Sequence, residues 1–209
     1  MKKTSKQAGK SKSSKRNPKI KVNGTDMLKG SLLKVALSKG IIDEKTGLVR
    51  AIIENPKGSR SKYKYVPSLD LFECGPALHA GLAWPFDFGF VPSTLAGDGD
   101  PLDIIVLMDE PAFPGCLVQV KILGVLEAEQ VQDGKTVRND RVIGVHNHSV
   151  RYDELTNWKD IPASIRSEYE LFFNVNAMCK GRVFELLGWR DSSVAFKVIE
   201  SAVKATGKN

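Results

Sequence analysis

The chain has 209 residues, of which 42% are apolar and 26% charged, enough for one domain with a sizeable core. No apolar run reaches the length of a membrane span and no apolar stretch marks a secretory signal, which predicts a soluble chain with no membrane partner. The formal charge of +7 misleads: residues 1–22 carry nine basic side chains and no acid, and taking nine from 31 leaves 22 basic against 24 acidic residues. The body is thus slightly acidic, and the basicity belongs to an appendage.

Residues 1–24 are rich in Lys and Ser and predict a disordered basic tail, ahead of a single domain at 25–209. A solubilising tail is the first reading and a weak, salt-sensitive polyanion contact the second. Asp26 as N-cap and Gly40 as stop frame a helix over 26–39, which Gly30 weakens. Strands are expected at Leu48–Glu54, Lys62–Val66, Leu102–Met108, Leu117–Glu127 and Arg141–His146, separated by Gly- and Pro-containing turns. Short strands so spaced suit a small barrel or a sandwich. Two helices follow. The first is capped by Asp160 with Pro162 in its first turn, and Ile165, Tyr169, Phe172 and Phe173 form its stripe. The second starts at Asp191 or Ser192, with Val194, Val198, Ile199, Ala202 and Val203 on its core face.

The chemistry concentrates in Asp98-Gly99-Asp100-Pro101-Leu102-Asp103, three carboxylates within six residues. Gly97 and Gly99 permit a tight path, Pro101 fixes its own φ, and a strand follows. Three close anions need compensation, and hard divalent cations with oxygen ligands supply it. Two such ions would activate a bridging water, and a spare carboxylate would take its proton. Taken alone the loop suits either a metal site or an acidic turn. Glu54, followed by the cation-dense segment from Lys57 to Lys64, adds what phosphoryl transfer needs: acids for metal beside bases for phosphate. His146 and His148 read as a surface pair, and Cys74, Cys116 and Cys179 form neither a disulfide framework nor a zinc pattern, which suits a reducing, cytoplasmic setting.

The segment from about Val49 to Gly144 resembles the soluble family I inorganic pyrophosphatases. The acidic motif matches in full. Ile53-Glu54-Asn55-Pro56, Lys62-Tyr63, Trp84-Pro85 with Phe88-Gly89, and Gly188-Trp189 match further family segments. The resemblance implies an α+β fold: a five-stranded OB-like β-barrel flanked by two C-terminal helices, here with an N-terminal extension. It implies Mg2+ as cofactor, pyrophosphate as substrate and a homo-oligomer. It makes Asp98 and Asp103 ligands of the central metals, Asp100 the general base, Glu54 a ligand on the substrate side and Lys62 a phosphate grip.

The family's pattern is departed from at several positions. Lys64 stands where the family has Glu, Pro76 where it has Arg, and Trp84 and Phe88 where it has Tyr. Its later Asp…Asp-x-Lys element maps to Asp133 only with a shift and then to Asn139-Asp140-Arg141. Asp140 is the stand-in ligand, provided a one-residue slip does not turn it to the other face. Arg141 keeps the positive charge, Asn176-Ala177 replaces a Tyr-Lys pair, and Lys64, Arg60 and Arg182 are the cations available to compensate. The activity implied is hydrolysis of pyrophosphate. The alternatives are a catalytically impaired binding or assembly subunit, and a nucleic-acid binder using the barrel and tail, which the acidic body opposes.

Overall fold

The computed structural model describes residues 40–132 and 134–207, so the expected tail, the helix at 26–39 and Asp133 lie outside it. In chain order the strands are β1 (Val49–Asn55), β2 (Tyr63–Val66), β3 (Leu71–Cys74), β4 (Asp87–Phe90), β5 (Asp103–Leu107), β6 (Leu117–Gln132), β7 (Lys135–Arg138) and β8 (Arg141–His146). Then come helix α1 (Ala163–Cys179), strand β9 (Phe184–Asp191) and helix α2 (Ser192–Thr206). Strands β1, β4, β5, β8 and β6 are bonded in that order and β6 returns to β1, closing a five-stranded barrel. All ring pairings are antiparallel except β5 with β8. Strands β7 and β9 extend β6 outside the ring, and β2 with β3 forms a separate hairpin. The expected α+β barrel with two C-terminal helices is therefore what the chain forms.

The strand residues are apolar on both sides because both sides are covered. Ile104 and Val106 of β5 join a cluster with Ile199 and Ala202 of α2, while their alternate neighbours Ile105 and Leu107 join Phe172 and Phe173 of α1. That alternation follows the period of two along a strand. Phe86 anchors the second cluster, with its ring 4.7 Å from Tyr169 at 89°, and full burial of such a side chain contributes about 1.5–3 kcal/mol. Among the described residues no helix is long and apolar enough to cross a membrane.

Two helix starts differ in detail from expectation. Asp160 belongs to a 3-10 turn, Trp158–Asp160, where it completes a capping box with Asn157; Pro162 then stands at the N-cap of α1 without a side-chain bond. The last helix begins as expected, with Asp191 at the N-cap of α2. Strand β4 was not expected. Asp-Phe-Gly-Phe lacks a β-branched residue and contains glycine, both unfavourable signals for a strand. The barrel nevertheless requires that glycine, since a Cβ at Gly89 would stand 1.9 Å from the Ile52 carbonyl oxygen in the neighbouring strand. Gly89→Ala should therefore force β1 and β4 apart and destabilise the fold by about 3 kcal/mol. Urea unfolding of the variant measures this, and an unchanged midpoint would show that the β1–β4 seam tolerates a side chain.

Candidate active site

One end of the barrel gathers the charged groups, and three local features place them. The first is a β-bulge in β1. Pairing with β4 shifts between Ile53 and Asn55, leaving Glu54 as the extra residue. Glu54 Oε1 accepts from Tyr65 N at 2.8 Å, and the buried Asn55 accepts from Tyr63 N at 2.7 Å through Oδ1. Adjacent side chains of β1 thus hold the β2–β3 hairpin against the barrel.

The second feature is the acidic loop. Gly99, at φ 88°, makes the turn in which Gly99 N donates to Ala96 O and Ala96 N to Asp100 O. The buried Thr94 hydroxyl accepts from Leu102 N at 2.9 Å and anchors the loop to the barrel. Asp98 accepts from Asp100 N at 3.2 Å and from Asn139 Nδ2 at 2.9 Å.

The third is the parallel pair β5–β8, whose first register position sets Asp103 beside Arg141. Arg141 NH2 lies 3.6 Å from Asp103 Oδ2, its NH1 donates to the Asn139 carbonyl, and its guanidinium lies 4.4 Å from the ring centres of both Phe173 and Phe184.

A cleft of about 760 Å³ opens over these groups, and Glu54, Asp98, Asp100 and Asp103 all line it. Desolvation pushes the Glu54 and Asp98 carboxyls above the usual carboxylate range, with a backbone N–H (Tyr65 and Asp100 respectively) opposing it. Burial carries Asp103 up to about 7 against the pull of Arg141, and the nearby Asp98, Glu54 and Asp100 add to the rise. On Arg141 burial works against the charge, while Asp103 and then Asp98 support it. Lys64 Nζ reaches Asp100 Oδ1 at 2.9 Å, an ion pair exposed on both sides. Lys62, Lys180 and Arg182 complete the cationic lining, and among the described residues none of these three forms an ion pair.

Of the residues singled out from the sequence, Glu54, Lys62, Lys64, Asp98, Asp100, Asp103, Arg141 and Arg182 meet in this cleft. Asp140 does not. It accepts from Ala128 N at 3.1 Å, pairs with Arg138 at 2.9 Å and lines a second hollow beside α2. Successive side chains of an extended link point to opposite sides, so its neighbour Asn139 faces the cleft instead. Arg60 does not line it either; its guanidinium donates to Leu78 O at 3.2 Å. Trp84 and Phe88 stand at the wall but spend their rings on the core, stacked on each other at 5.0 Å, and the Trp84 indole donates to Ser61 O.

Sequence reasoning missed Lys180 and Gln130, which also line the cleft. Lys180 ends α1, where its backbone N–H and that of Arg182 both donate to Ala177 O. A helix C-terminus favours cations, so Lys180-Gly181 reads in sequence as an ordinary stop. The Lys180 ammonium is lowered to about 8, by desolvation first and then by Lys62 and Arg182. Among the described residues Asn176 Oδ1 and Arg141 Nε are buried without a hydrogen-bond partner, and both residues belong to the cleft lining. Buried orphans of this kind are rare.

The available donors are oxygen atoms, which suits a hard divalent cation. As they stand, no three acidic, histidine or cysteine side chains among the described residues converge tightly enough to hold a metal. Lys64 and Arg141 occupy two of the four carboxylates.

Comparison with known proteins fits this geometry. The profile of the inorganic pyrophosphatase family matches residues 51–206. An inorganic pyrophosphatase from a Synechocystis species is 34% identical over 168 residues, covering 80% of this chain and 97% of the relative. One from Thermus thermophilus is 35% identical over 164 residues, covering 77% of this chain and 91% of the relative. The crystal structure of inorganic pyrophosphatase from Thermus thermophilus has a TM-score of 0.73 at 33% identity, covering 80% of this chain and 95% of that one. A match that runs from β1 through α2, over the whole barrel and the acidic loop at its rim, establishes that the chain belongs to the family I inorganic pyrophosphatases.

Proposed function

We propose that the protein hydrolyses inorganic pyrophosphate to two phosphates with magnesium bound at the acidic end of the cleft. What carries this reading is that four carboxylates and five cationic side chains line one cavity. Asp98, Asp103 and Glu54 would hold the metal, with Asn139 beside Asp98 as a neutral neighbour. Bound divalent ions supply Lewis-acid polarisation of phosphoryl oxygens and a water acidic enough to attack near neutral pH. The chain's own residues do the rest. Asp100 accepts the proton of the water as its oxygen bonds to phosphorus and the bridging P–O bond breaks. Lys62, Arg182 and Lys180 grip the anion and stabilise the leaving phosphate. Arg141, packed against two rings, holds Asp103 in place and adds positive potential to the floor.

The same proposal includes cytoplasmic residence, which suits three free thiols, and self-association, for which the exposed Phe113 and Val150 offer apolar surface.

The purified chain should release phosphate from pyrophosphate in the presence of magnesium and stop when the metal is chelated. Asp100→Asn should lower kcat by about 10²–10⁴-fold, the usual scale of one acid–base group, with little change in KM. No release across a range of magnesium concentrations and pH would leave the chain as a binding or assembly subunit.

The Lys180 ammonium gives a pH signature. It is protonated below about 8 and neutral above, with Lys62, Arg182 and the Cys179 thiol as the charged or titratable groups acting on it. KM for pyrophosphate should therefore rise as pH increases through that value. In Lys180→Arg, which stays charged, the rise should disappear; an unaltered KM profile in this variant would remove Lys180 from the substrate grip.

A further inference from the structure

Lys64 sits among the acids rather than with the other cations. Beyond its 2.9 Å pair with Asp100, its ammonium also feels the charges of Glu54 and Asp98, although Lys62 acts on Glu54 ahead of it and Arg141 acts on Asp98. Its backbone position is fixed from both sides. Tyr63 N and Tyr65 N, the amides flanking it, are held by Asn55 Oδ1 and Glu54 Oε1. The strand therefore delivers the side chain to the acidic loop, while the four-carbon stem above it remains free to turn. With side chains 60% and 55% exposed, the Lys64–Asp100 pair contributes little to folding.

Arg141 presents the opposite case. It is buried and packed against the rings of Phe173 and Phe184, so its charge stays where it is. One of the two cations tied to the cleft acids can therefore leave and the other cannot. The carboxylates fall short of a metal-holding cluster in this arrangement, and Asp100 is held by the cation that is free to move.

We infer that Lys64 sets the divalent-ion affinity of the cleft: its ammonium, paired with Asp100 beside Glu54 and Asp98, is a tethered counter-ion that an entering metal must displace. This rests on reading the cleft as a divalent-metal site. It gives Lys64 a role on the metal side of the cleft, in place of a grip on substrate.

The test measures ion binding on the full chain without substrate, by calorimetric titration with Mg2+ and by electron paramagnetic resonance with Mn2+. Lys64→Met keeps the length of the side chain and removes the charge. Its Kd for either ion should fall by about tenfold, the size expected for a unit charge roughly 6 Å from a divalent ion in a solvent-like dielectric. Lys64→Arg should stay close to the wild-type value, and a thermal melt of each variant reports folding. Should Lys64→Met misfold, Lys64→Gln carries the same expectation. An unchanged or weaker Kd in the folded neutral variant overturns the assignment, as does a wild-type chain that binds neither ion. Phosphate release is scored separately: a wild-type chain that binds Mg2+ yet leaves pyrophosphate intact sinks the proposed activity, and the tightened Kd of Lys64→Met would still uphold the role of Lys64.

Discussion

Four carboxylates confined to one end of a small barrel repel one another, and the surroundings of the cleft are shaped by that repulsion. Burial is the main reason the carboxyls of Glu54, Asp98 and Asp103 are raised, and like charge from their neighbours adds to it. Two cations relieve the repulsion, by different means. Arg141 is built into the barrel wall, opposite Asp103 in the parallel register and beneath two aromatic rings. Lys64 reaches in from a hairpin outside the barrel.

Backbone geometry supplies the convergence. Closing five strands into a ring requires irregularity, and the bulge at Glu54 is one such irregularity. It puts an acid where regular pairing would have continued, and lets Asn55 carry the hairpin on its other neighbour. The parallel β5–β8 pair is another departure from a plain meander. It aligns the starts of two strands, so that Asp103 and Arg141 stand side by side although 38 positions separate them in the chain. The local requirement for glycine at 89 belongs to the same closure, because β1 and β4 approach there too closely for a side chain.

The sequence is legible where chemistry and local geometry coincide. The acidic loop and Glu54 could be named because a run of Asp with Gly and Pro, or an acid at the end of an apolar strand, departs visibly from background, whereas Lys62 and Arg141 were named from the family resemblance. Five strands were found from their β-branched runs. Strand β4 was missed because Asp-Phe-Gly-Phe is selected by barrel closure and not by strand propensity. Strand β9, outside the ring, was missed because Gly188, at φ 111°, interrupts its apolar run. Asp140 was misplaced to the cleft because only the register decides which of two successive side chains turns inward, and an Asn has no charge to advertise that it does so. Lys180 was overlooked because a lysine before glycine at a helix end carries the same signature whether it caps or binds.

The charge of the cleft lining bears on how substrate arrives. Five cations against four carboxylates leave the lining formally positive by one before any metal enters. An anion is therefore attracted to the mouth, where Lys62, Lys180 and Arg182 lie within electrostatic reach of one another and lack carboxylate partners among the described residues. On the proposed reading, a divalent cation would meet a harder entry, since Lys64 and Arg141 already pair with two of the acids. An anion that arrived with its own metal would resolve both problems at once: its charge is drawn by the mouth, and its metal would bring the extra positive charge needed to compete with Lys64. On the proposed reading, the arrangement would favour joint entry of metal and anion, a preference that follows from where the fixed cations sit rather than from the number of acids present.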